Sequence, residues 1–283
     1  MYSFLEFLEY YIPKSTKLVS FTEISMNGEK KNDGRLRIVI DADTCLDRLY
    51  GGFTSNWIAG SDYMKMLTFF NNLVSTCYRN NIEIIIYFNG TSPKDNEELL
   101  DWQSKEKSKL KRIASVIDFV TNERTINPHR SWVRPPGLIR QIVNQLRTNR
   151  LNRLHKVVHT FNTVKHHHKE IIEFCKVNKC EYLISSDYEM MMHVCSQKEN
   201  VIRLFSAKSF KLTLKGAISA LEYDLNEISE YLKLKRIYFP VLGILMKHSM
   251  MSDKHVLKFM DKLYALYPNE LVTPLFLSMQ FFV

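Results

Sequence analysis

Residues 36–53 read LRIVIDADTCLDRLYGGF, and they are the most informative part of the chain. The apolar run over 36–41 ends in Asp41 and predicts a strand that is buried on both faces, as in a parallel sheet. A second apolar run, over 82–88, is followed by Asn89. Because the carboxyl ends of parallel strands meet at the crevice of an open α/β sheet, we expect these polar side chains to line one site.

The rest of the chain alternates between strand and helix patterns. Helices are predicted over 3–12, 62–80, 91–120, 137–147, 165–178 and 187–196, and strands over 155–160, 181–185 and 201–205. This alternation predicts an α/β fold with a mostly parallel sheet and helices on both faces. From residue 206 the pattern becomes helical, with runs near 212–222, 225–234, 238–248 and 252–267. We therefore predict an α/β domain over 1–205 and a C-terminal helical sub-domain over 206–283 that packs on it.

The composition is that of a folded, basic protein. The chain has 283 residues, is 45% hydrophobic and carries a net charge of +9, which favours anionic partners such as nucleic acid, acidic protein or anionic lipid. Its five scattered cysteines are typical of a reducing compartment rather than of a disulfide framework. No apolar run reaches the ~18 residues of a membrane span, and no signal peptide is evident. These features predict a cytoplasmic protein, with the nucleus as an alternative location.

Four acids are predicted at the ends of two strands. Asp41 and Asp43 end the first strand, and Asp187 and Glu189 follow the strand predicted over 181–185. Hard divalent cations prefer oxygen ligands, and two-metal phosphodiester hydrolysis needs several carboxylates within a few ångström. Acids at such turns also cap helices, and for Asp187 alone both roles stay open. The four acids together favour a remnant acidic pocket.

The same stretch resembles known families. Residues 38–43, IVIDAD, resemble the first acidic motif of the flap-endonuclease/XPG-type nucleases, a branch of the PIN-like fold. Residues 41–53 resemble more closely the constitutive coactivator of PPAR-gamma-like proteins of the oxidative-stress-associated Src activator type. That similarity continues through 81–90 and 167–175 to about residue 245. It implies a PIN/XPG-like sheet, RNA binding, and protein partners that include signalling proteins.

Carried over residue by residue, the nuclease pattern is incomplete. Asp41 matches the first metal-binding acid, and Asp187 and Glu189 match a later acid pair. The positions where this sequence departs from the acids of active nucleases are Asn89, His166 and His168. Because a pair of dications needs dense negative charge, the resemblance implies a pseudo-nuclease with no catalytic residue. We expect no cofactor, or at most one weakly held Mg²⁺ or Mn²⁺ at Asp41 and Asp187.

Basic side chains concentrate between residues 105 and 156, which hold thirteen basic and three acidic residues. In the nuclease fold this helix and loop arch over the nucleic-acid path, so the resemblance implies phosphate contacts here. The residues predicted to bind nucleic acid are Lys105, Lys109, Arg112, Arg130, Arg134, Arg140 and Trp132. Trp132 and Trp102 could stack on unpaired bases. The alternative is the solvated face of an amphipathic helix whose apolar side, with Leu110 and Val116, faces the core.

The histidine triplet at 166–168 raises the alternative of a zinc site together with Cys175 and Cys180. Consecutive helical residues point in different directions, so at most two of these histidines could share an ion. Cys175 falls on an apolar helix face, which favours buried cysteines and partly exposed histidines.

Three functions stay open from the sequence. The favoured one is a catalytically inactive nuclease-fold adaptor that binds RNA and proteins. The second is a residual metal-dependent nuclease that uses the four acids, with Glu170 as a further ligand. The third is a pure protein-interaction scaffold or coactivator. The first is favoured because too few carboxylates remain for two metal ions.

Overall fold

The computed structural model describes residues 12–27, 34–51, 63–91, 96–122, 132–135, 137–197, 202–213 and 215–239. The strands of this part are β1 (Thr16–Ser20), β2 (Leu36–Asp41), β3 (Ile82–Phe88), β4 (Val158–Asn162), β5 (Tyr182–Ile184), β6 (Arg203–Phe205), β7 (Lys211–Leu212) and β8 (Ile218–Tyr223). They form one sheet in the order β1-β8-β6-β5-β2-β3-β4, and β7 pairs with β8. The strands from β6 to β4 are parallel, whereas β8 is antiparallel to both β6 and β1.

Helices connect and cover these strands. They are α1 (Phe21–Met26), α2 (Ala42–Leu49), α3 (Tyr63–Arg79), α4 (Asn96–Thr121), α5 (Leu138–Thr148), α6 (Arg150–His155), α7 (His167–Val177), α8 (Tyr188–Cys195) and α9 (Leu225–Leu232). Short 3-10 turns lie at Pro13–Ser15, Ala207–Ser209 and Arg236–Tyr238. Within the described ranges, no helix combines the length and apolar character that a membrane crossing requires.

Both faces of the sheet are buried under helices. Ile38 and Ile40 of β2 belong to a first core cluster, to which α2, α3 and α5 contribute. Val39 belongs to a second core cluster, to which α7, α8 and α9 contribute. This split follows from the strand geometry, because successive side chains point to opposite faces. The predicted fold class, α/β with a mostly parallel sheet and helices on both faces, is confirmed.

The helix predicted near 212–222 is wrong, because this stretch forms β7 and β8. The alanine, leucine and glutamate of β8 favour helices in isolation. Pairing with β1 and β6 and burial of Ile218 and Ala220 override that preference. A purely helical sub-domain from 206 therefore does not describe residues 206–223. The helix predicted over 225–234 agrees with α9, and the predicted runs 238–248 and 252–267 lie almost entirely outside the described residues.

Two further differences concern short elements. β1 and α1 have no counterpart in the prediction, and the predicted helix over 3–12 lies outside the described residues except for its last position. The strand predicted over 155–160 begins later, as β4, because α6 occupies the preceding residues. The buried Asn152 side chain fixes this junction, since it donates to the Val158 carbonyl at 2.9 Å and accepts from the Val158 N–H at 2.9 Å.

An ion-pair ladder crosses the sheet at Glu83 and leads to a pH prediction. Glu83 accepts a hydrogen bond from Arg37 Nε at 2.7 Å and lies 3.0 Å from His159 Nε2. The hydrogen bond with His159 is the largest influence on the pKa of Glu83; burial opposes it and Arg37 adds to it, so the pKa falls to about 2. A carboxyl whose pKa is lower in the folded state than in the unfolded state stabilises the protein at pH values above the unfolded-state pKa. This contribution is lost as the pH falls towards the folded-state pKa.

We expect the ladder to add about 1–3 kcal/mol to the free energy of unfolding above pH ~4.5. This contribution should be lost between pH ~4.5 and ~2. Urea unfolding of the Glu83→Gln variant across this pH range should therefore show a smaller pH dependence than the unsubstituted chain. Glu173→Gln, on the exposed side of α7, serves as the control and should keep the original dependence. Identical pH profiles for the Glu83→Gln variant and the unsubstituted chain would contradict the prediction.

Candidate functional site

The candidate site lies where the chain changes direction across the sheet. From β2 the chain continues to β3 and β4 on one side, and β5 and β6 then occupy the other side. The crevice at such a switch point, beyond the carboxyl ends of the strands, is where open α/β sheets bind ligands. Asp41 ends β2, Asn89 follows β3, and Asp187 follows β5. The structure thus brings together the strand ends that the sequence marked.

Asp41 is fully buried, and both of its carboxylate oxygens are occupied by protein donors. Oδ1 accepts from the Asp43 backbone N–H at 3.1 Å, which caps α2, and lies 3.0 Å from His167 Nε2. Oδ2 accepts from Ser185 Oγ at 2.7 Å and from Thr44 Oγ1 at 3.2 Å. Each oxygen therefore has two hydrogen-bond partners, which is how a buried carboxylate is stabilised without an ion.

His167 is the crevice residue that the sequence reasoning missed. The prediction placed His166 and His168 at the substituted nuclease positions, but the His166 side chain is exposed and His167 is the buried one. The other ring nitrogen of His167, Nδ1, lies 3.0 Å from Thr163 Oγ1. One signal could have found it: His167 precedes the apolar Ile171 and Cys175 at helical spacing, so it belongs to the buried face of α7.

Asp43 has as its neighbour Asn89, which replaces an acid of the nuclease pattern. The side chain and backbone of Asn89 lower the pKa of Asp43, but two larger effects oppose them. The Asn89 side-chain oxygen accepts from the Thr91 backbone N–H at 3.0 Å, which fixes the direction of the amide. Burial, followed by the charge of Asp41, raises the pKa of Asp43.

The outer part of the crevice holds His168, Asp187 and Glu189. Asp187 caps α8, with Oδ1 accepting from the Glu189 backbone N–H at 2.8 Å. Asp187 Oδ2 lies 3.1 Å from His168 Nε2, and Glu189 Oε2 lies 3.4 Å from His168 Nδ1. Burial opposes the charged imidazole, but the hydrogen bond to Asp187 and the charges of both acids outweigh it and raise the pKa of His168. Asp187 thus takes both roles that the sequence left open, helix cap and crevice acid.

Glu170 does not join this group. Its carboxylate accepts hydrogen bonds from the backbone N–H groups of Val164 and His166, and so closes the N-terminus of α7. The residual-nuclease alternative therefore loses the additional ligand that the sequence suggested.

Two-metal hydrolysis depends on a pair of hard dications held by carboxylate oxygens. In the crevice, both oxygens of Asp41 already accept hydrogen bonds from the protein. A magnesium pair needs carboxylate oxygens that point at the ions, together with room for several waters. The weak Mg²⁺ or Mn²⁺ expected at Asp41 and Asp187 stays a prediction, and the hydrogen bonds of Asp41 argue against its part as a ligand.

The predicted nucleic-acid residues that the structure describes are mostly exposed. The exposed basic side chains are Lys109, Arg112, Arg134 and Arg140. Lys109 forms an ion pair with Glu106 one turn away. Trp132 is partly buried against the first core cluster, whereas Trp102 on α4 is 49% exposed. Arg130 and the side chain of Lys105 lie outside the described residues.

Helix α4 differs from the amphipathic alternative. Val116 is buried, but Leu110 and Ile117 are largely exposed, so most of the apolar side expected to face the core does not. The helix therefore presents both its basic and most of its apolar side chains to solvent, within the part of the chain described.

The cysteines take no part in the crevice chemistry. All five are free and buried, and Cys175 and Cys180 belong to the second core cluster. Within the described ranges, the group with metal-ligand spacing is His168, Asp187 and Glu189, which includes neither cysteine. Burial raises the pKa of the Cys175 thiol, which makes it a poor ligand and a poor nucleophile.

Solved structures similar to this one include nuclease cores. The catalytic core of Rad2 in complex with DNA substrate matches with a TM-score of 0.47 and 13% identity over 93% of this chain and 69% of that chain. Human GEN1 in complex with Holliday junction DNA matches with a TM-score of 0.47 and 11% identity over 90% of this chain and 55% of that chain. Similarity at this level gives no information about activity. No protein-family model matches the chain.

The relatives with similar sequences share one family name. Constitutive coactivator of PPAR-gamma-like protein 1 from Homo sapiens is 27% identical over 264 residues, which is 90% of this chain and 22% of the relative. Its Xenopus tropicalis homologue is 26% identical over 264 residues, 90% of this chain and 24% of the relative. The chain therefore spans about a quarter or less of the length of these relatives. The resemblance seen in the sequence is confirmed, and the chain is related to the constitutive coactivator of PPAR-gamma-like proteins over most of its length.

Proposed function

We propose that the chain is a catalytically inactive protein of the nuclease fold that serves as an adaptor for RNA and for partner proteins. One observation carries the inactive part: Asp41, at the position of the first metal-binding acid, is fully buried and hydrogen-bonded at both oxygens. Releasing it for an ion would leave His167 and Ser185 without their partner inside the protein, which is costly. The hydrogen bonds of Asp41 therefore support a role in stabilising the fold rather than a role in metal-dependent hydrolysis.

The basic segment supports RNA as one partner. Its exposed arginines and lysines would neutralise phosphates without regard to sequence. Val116 of α4 and Leu138 of α5 both belong to the first core cluster, so these two basic helices cover the same face of the sheet. Trp102 offers an exposed aromatic surface on which an unpaired base could stack. Single-stranded RNA suits this combination of phosphate contacts and stacking better than a duplex does.

Protein partners are supported by the relatives' name and by helix α4. The name describes those proteins as coactivators, and the similarity covers about a quarter or less of their length. Leu110 and Ile117 add exposed apolar area to α4, which is the kind of surface that proteins bind. A coactivator-like adaptor would act in the nucleus, and RNA binding is compatible with the cytoplasm as well.

The RNA part leads to a prediction about salt. We expect Arg112→Ala and Arg134→Ala each to weaken binding of single-stranded RNA to a similar degree across RNA sequences. Each substitution should also reduce the slope of log K against log salt by about 0.7–1, because each removes one phosphate contact. Fluorescence anisotropy with a labelled RNA between 50 and 200 mM salt measures both quantities.

Lys176→Ala is the matched control, since Lys176 is exposed on α7, which covers the opposite face of the sheet. It should leave affinity and slope unchanged. If all three variants bind RNA alike, the RNA role is wrong and a pure protein scaffold is favoured. Incubating the same RNA and a flap DNA with Mg²⁺ or Mn²⁺ tests the inactive role: cleavage that disappears in Glu189→Gln would overturn it.

A further inference from the structure

We propose that one side of helix α4 binds an acidic amphipathic helix of a partner protein. The proposal rests on the partner-protein part of the proposed function and names the chemistry of that partner. Large apolar side chains of α4 that are exposed recur at intervals of three, four and eight residues: Leu99, Trp102, Leu110, Ile113 and Ile117. Residues at such intervals share one face of a helix, so these five side chains form an apolar stripe along α4.

The apolar stripe is not the side of α4 that packs on the domain. Among the α4 residues whose side chains the structure describes, Val116 is the buried one, and it joins the first core cluster. Val116 and Ile117 are successive residues, so their side chains point about 100° apart around the helix axis. Leu110 and Ile117 accordingly stay 64% and 59% exposed. Because helices in proteins are stabilised chiefly by packing an apolar face, an exposed stripe of this length indicates a binding surface.

Lysines border the apolar stripe on both of its long edges. Lys107 and Lys111 follow one edge, and Lys109 lies on the other. Lys107 and Lys111 are exposed and one turn apart, so their like charges repel each other and destabilise the helix. Lys109 forms an ion pair with Glu106, the acid that interrupts the stripe. Carboxylates on a partner would relieve the repulsion between the lysines, and the stripe therefore selects a partner with acidic edges.

The shape of the apolar stripe favours a helix as the partner. From Leu99 to Ile117 the stripe is about 27 Å long at a rise of 1.5 Å per residue, which matches a partner helix of about 18 residues. It is also narrow, like the seam of a coiled coil. In such a seam the apolar side chains pack together, and the charges beside them decide which helix binds and in which orientation.

The charges argue against two other occupants of the stripe. A second copy of the chain would bring lysines opposite lysines, because both edges of the stripe are basic. An anionic membrane would attract the lysines, but a helix that lies in a membrane buries its apolar face among the acyl chains. Glu106, in the middle of the stripe, would then lose its contact with water.

Two synthetic peptides test the surface. The first is three heptads long, with leucine at positions a and d and glutamate at e and g, so that charge repulsion keeps it from pairing with itself. The second has lysine in place of every glutamate. Fluorescence anisotropy of each labelled peptide with the 283-residue chain measures binding. We expect the glutamate peptide to bind about tenfold more tightly than the lysine peptide or better, and its affinity to fall as salt is added.

Substitutions in α4 locate the contact. Leu110→Gln should weaken binding of the glutamate peptide about tenfold, the usual effect of removing a central apolar contact, and glutamine keeps a high helix propensity. Lys111→Glu should weaken binding of the glutamate peptide and strengthen binding of the lysine peptide. Arg112→Ala is the matched control. Arg112 lies two residues from Leu110 and hence on the opposite side of α4, so this variant should bind the glutamate peptide like the unsubstituted chain.

Three results would overturn the proposal: no binding of the glutamate peptide, equal binding of both peptides, or binding that Leu110→Gln leaves unchanged. A dimer of the chain, or binding to vesicles of anionic lipid, that Leu110→Gln abolishes would assign the stripe to another occupant and overturn it as well. The proposed function is judged separately. Recovery of no protein by the immobilised 283-residue chain from a cell lysate would refute the partner-protein part itself. Recovery of the same proteins by Leu110→Gln as by the unsubstituted chain would refute only this surface.

Discussion

Asp41→Ala is expected to lower the free energy of unfolding by about 3–5 kcal/mol, the usual cost of removing one partner from a buried charged network. The substitution leaves His167 and Ser185 facing a cavity and removes the acceptor that caps α2. The sign of this change in the free energy of unfolding distinguishes a structural from a metal-binding role. A carboxylate that serves metal binding destabilises the ion-free protein, so its removal tends to increase stability at some cost in activity. Urea unfolding at neutral pH, with the m-value compared, gives the measurement.

Asp224→Ala is the matched control for this experiment. Asp224 also caps a helix, accepting from the backbone N–H groups of Asn226 and Glu227, but it is exposed. Loss of such a cap costs about 1 kcal/mol. If Asp41→Ala costs no more than Asp224→Ala, the buried network contributes nothing beyond capping, and the structural role assigned to Asp41 is wrong.

Phe21→Ala is expected to cost a similar 3–5 kcal/mol, for a different reason. Phe21 opens α1, is fully buried, and packs against the rings of Tyr182 at 5.8 Å and Phe205 at 4.9 Å between centroids. Truncating a buried aromatic residue removes transfer free energy and leaves a cavity that its rigid neighbours cannot fill. Thermal or urea unfolding measures the loss.

Met26→Ala in the same helix controls for a general effect on α1. Its side chain is 70% exposed, so the change should stay within about 0.5 kcal/mol. Equal stabilities for the two variants would show that α1 is not anchored through Phe21 to β5 and β6, in contradiction to the structure.

The two central strands were predictable because their signal is local. The apolar runs of β2 and β3 are long, rich in isoleucine and ended by polar residues, and the structure gives both strands the predicted bounds. β1 is different: residues 16–20 read TKLVS, and two of its side chains are exposed. Only pairing with the distant β8 makes this segment a strand, and no local pattern contains that information.

The sequence indicated the acids of the candidate site but not the groups that form hydrogen bonds with them. The predicted strand ends place Asp41 and Asp187 after two strands that are neighbours in the sheet, and the topology of a parallel sheet brings such ends together. The choice between His166 and His167 depended on where α7 begins, and helix ends are the least regular feature of a helix. Ser185 carries no sequence signal at all, because a hydroxyl becomes a partner of Asp41 only through the fold.

The pairing of β1 with β8 also affects how the chain is made. A ribosome adds about 5–20 residues per second, so the segment that forms β1 leaves the exit tunnel roughly 10–40 s before its partner strand is complete. During this interval the side chain of Val19, which is buried in the finished fold, lacks the β8 strand beside which it packs. Lys17, exposed on this edge strand, discourages pairing with another nascent chain in the meantime. Translation that stalls before residue 218 would therefore leave β1 without its partner strand.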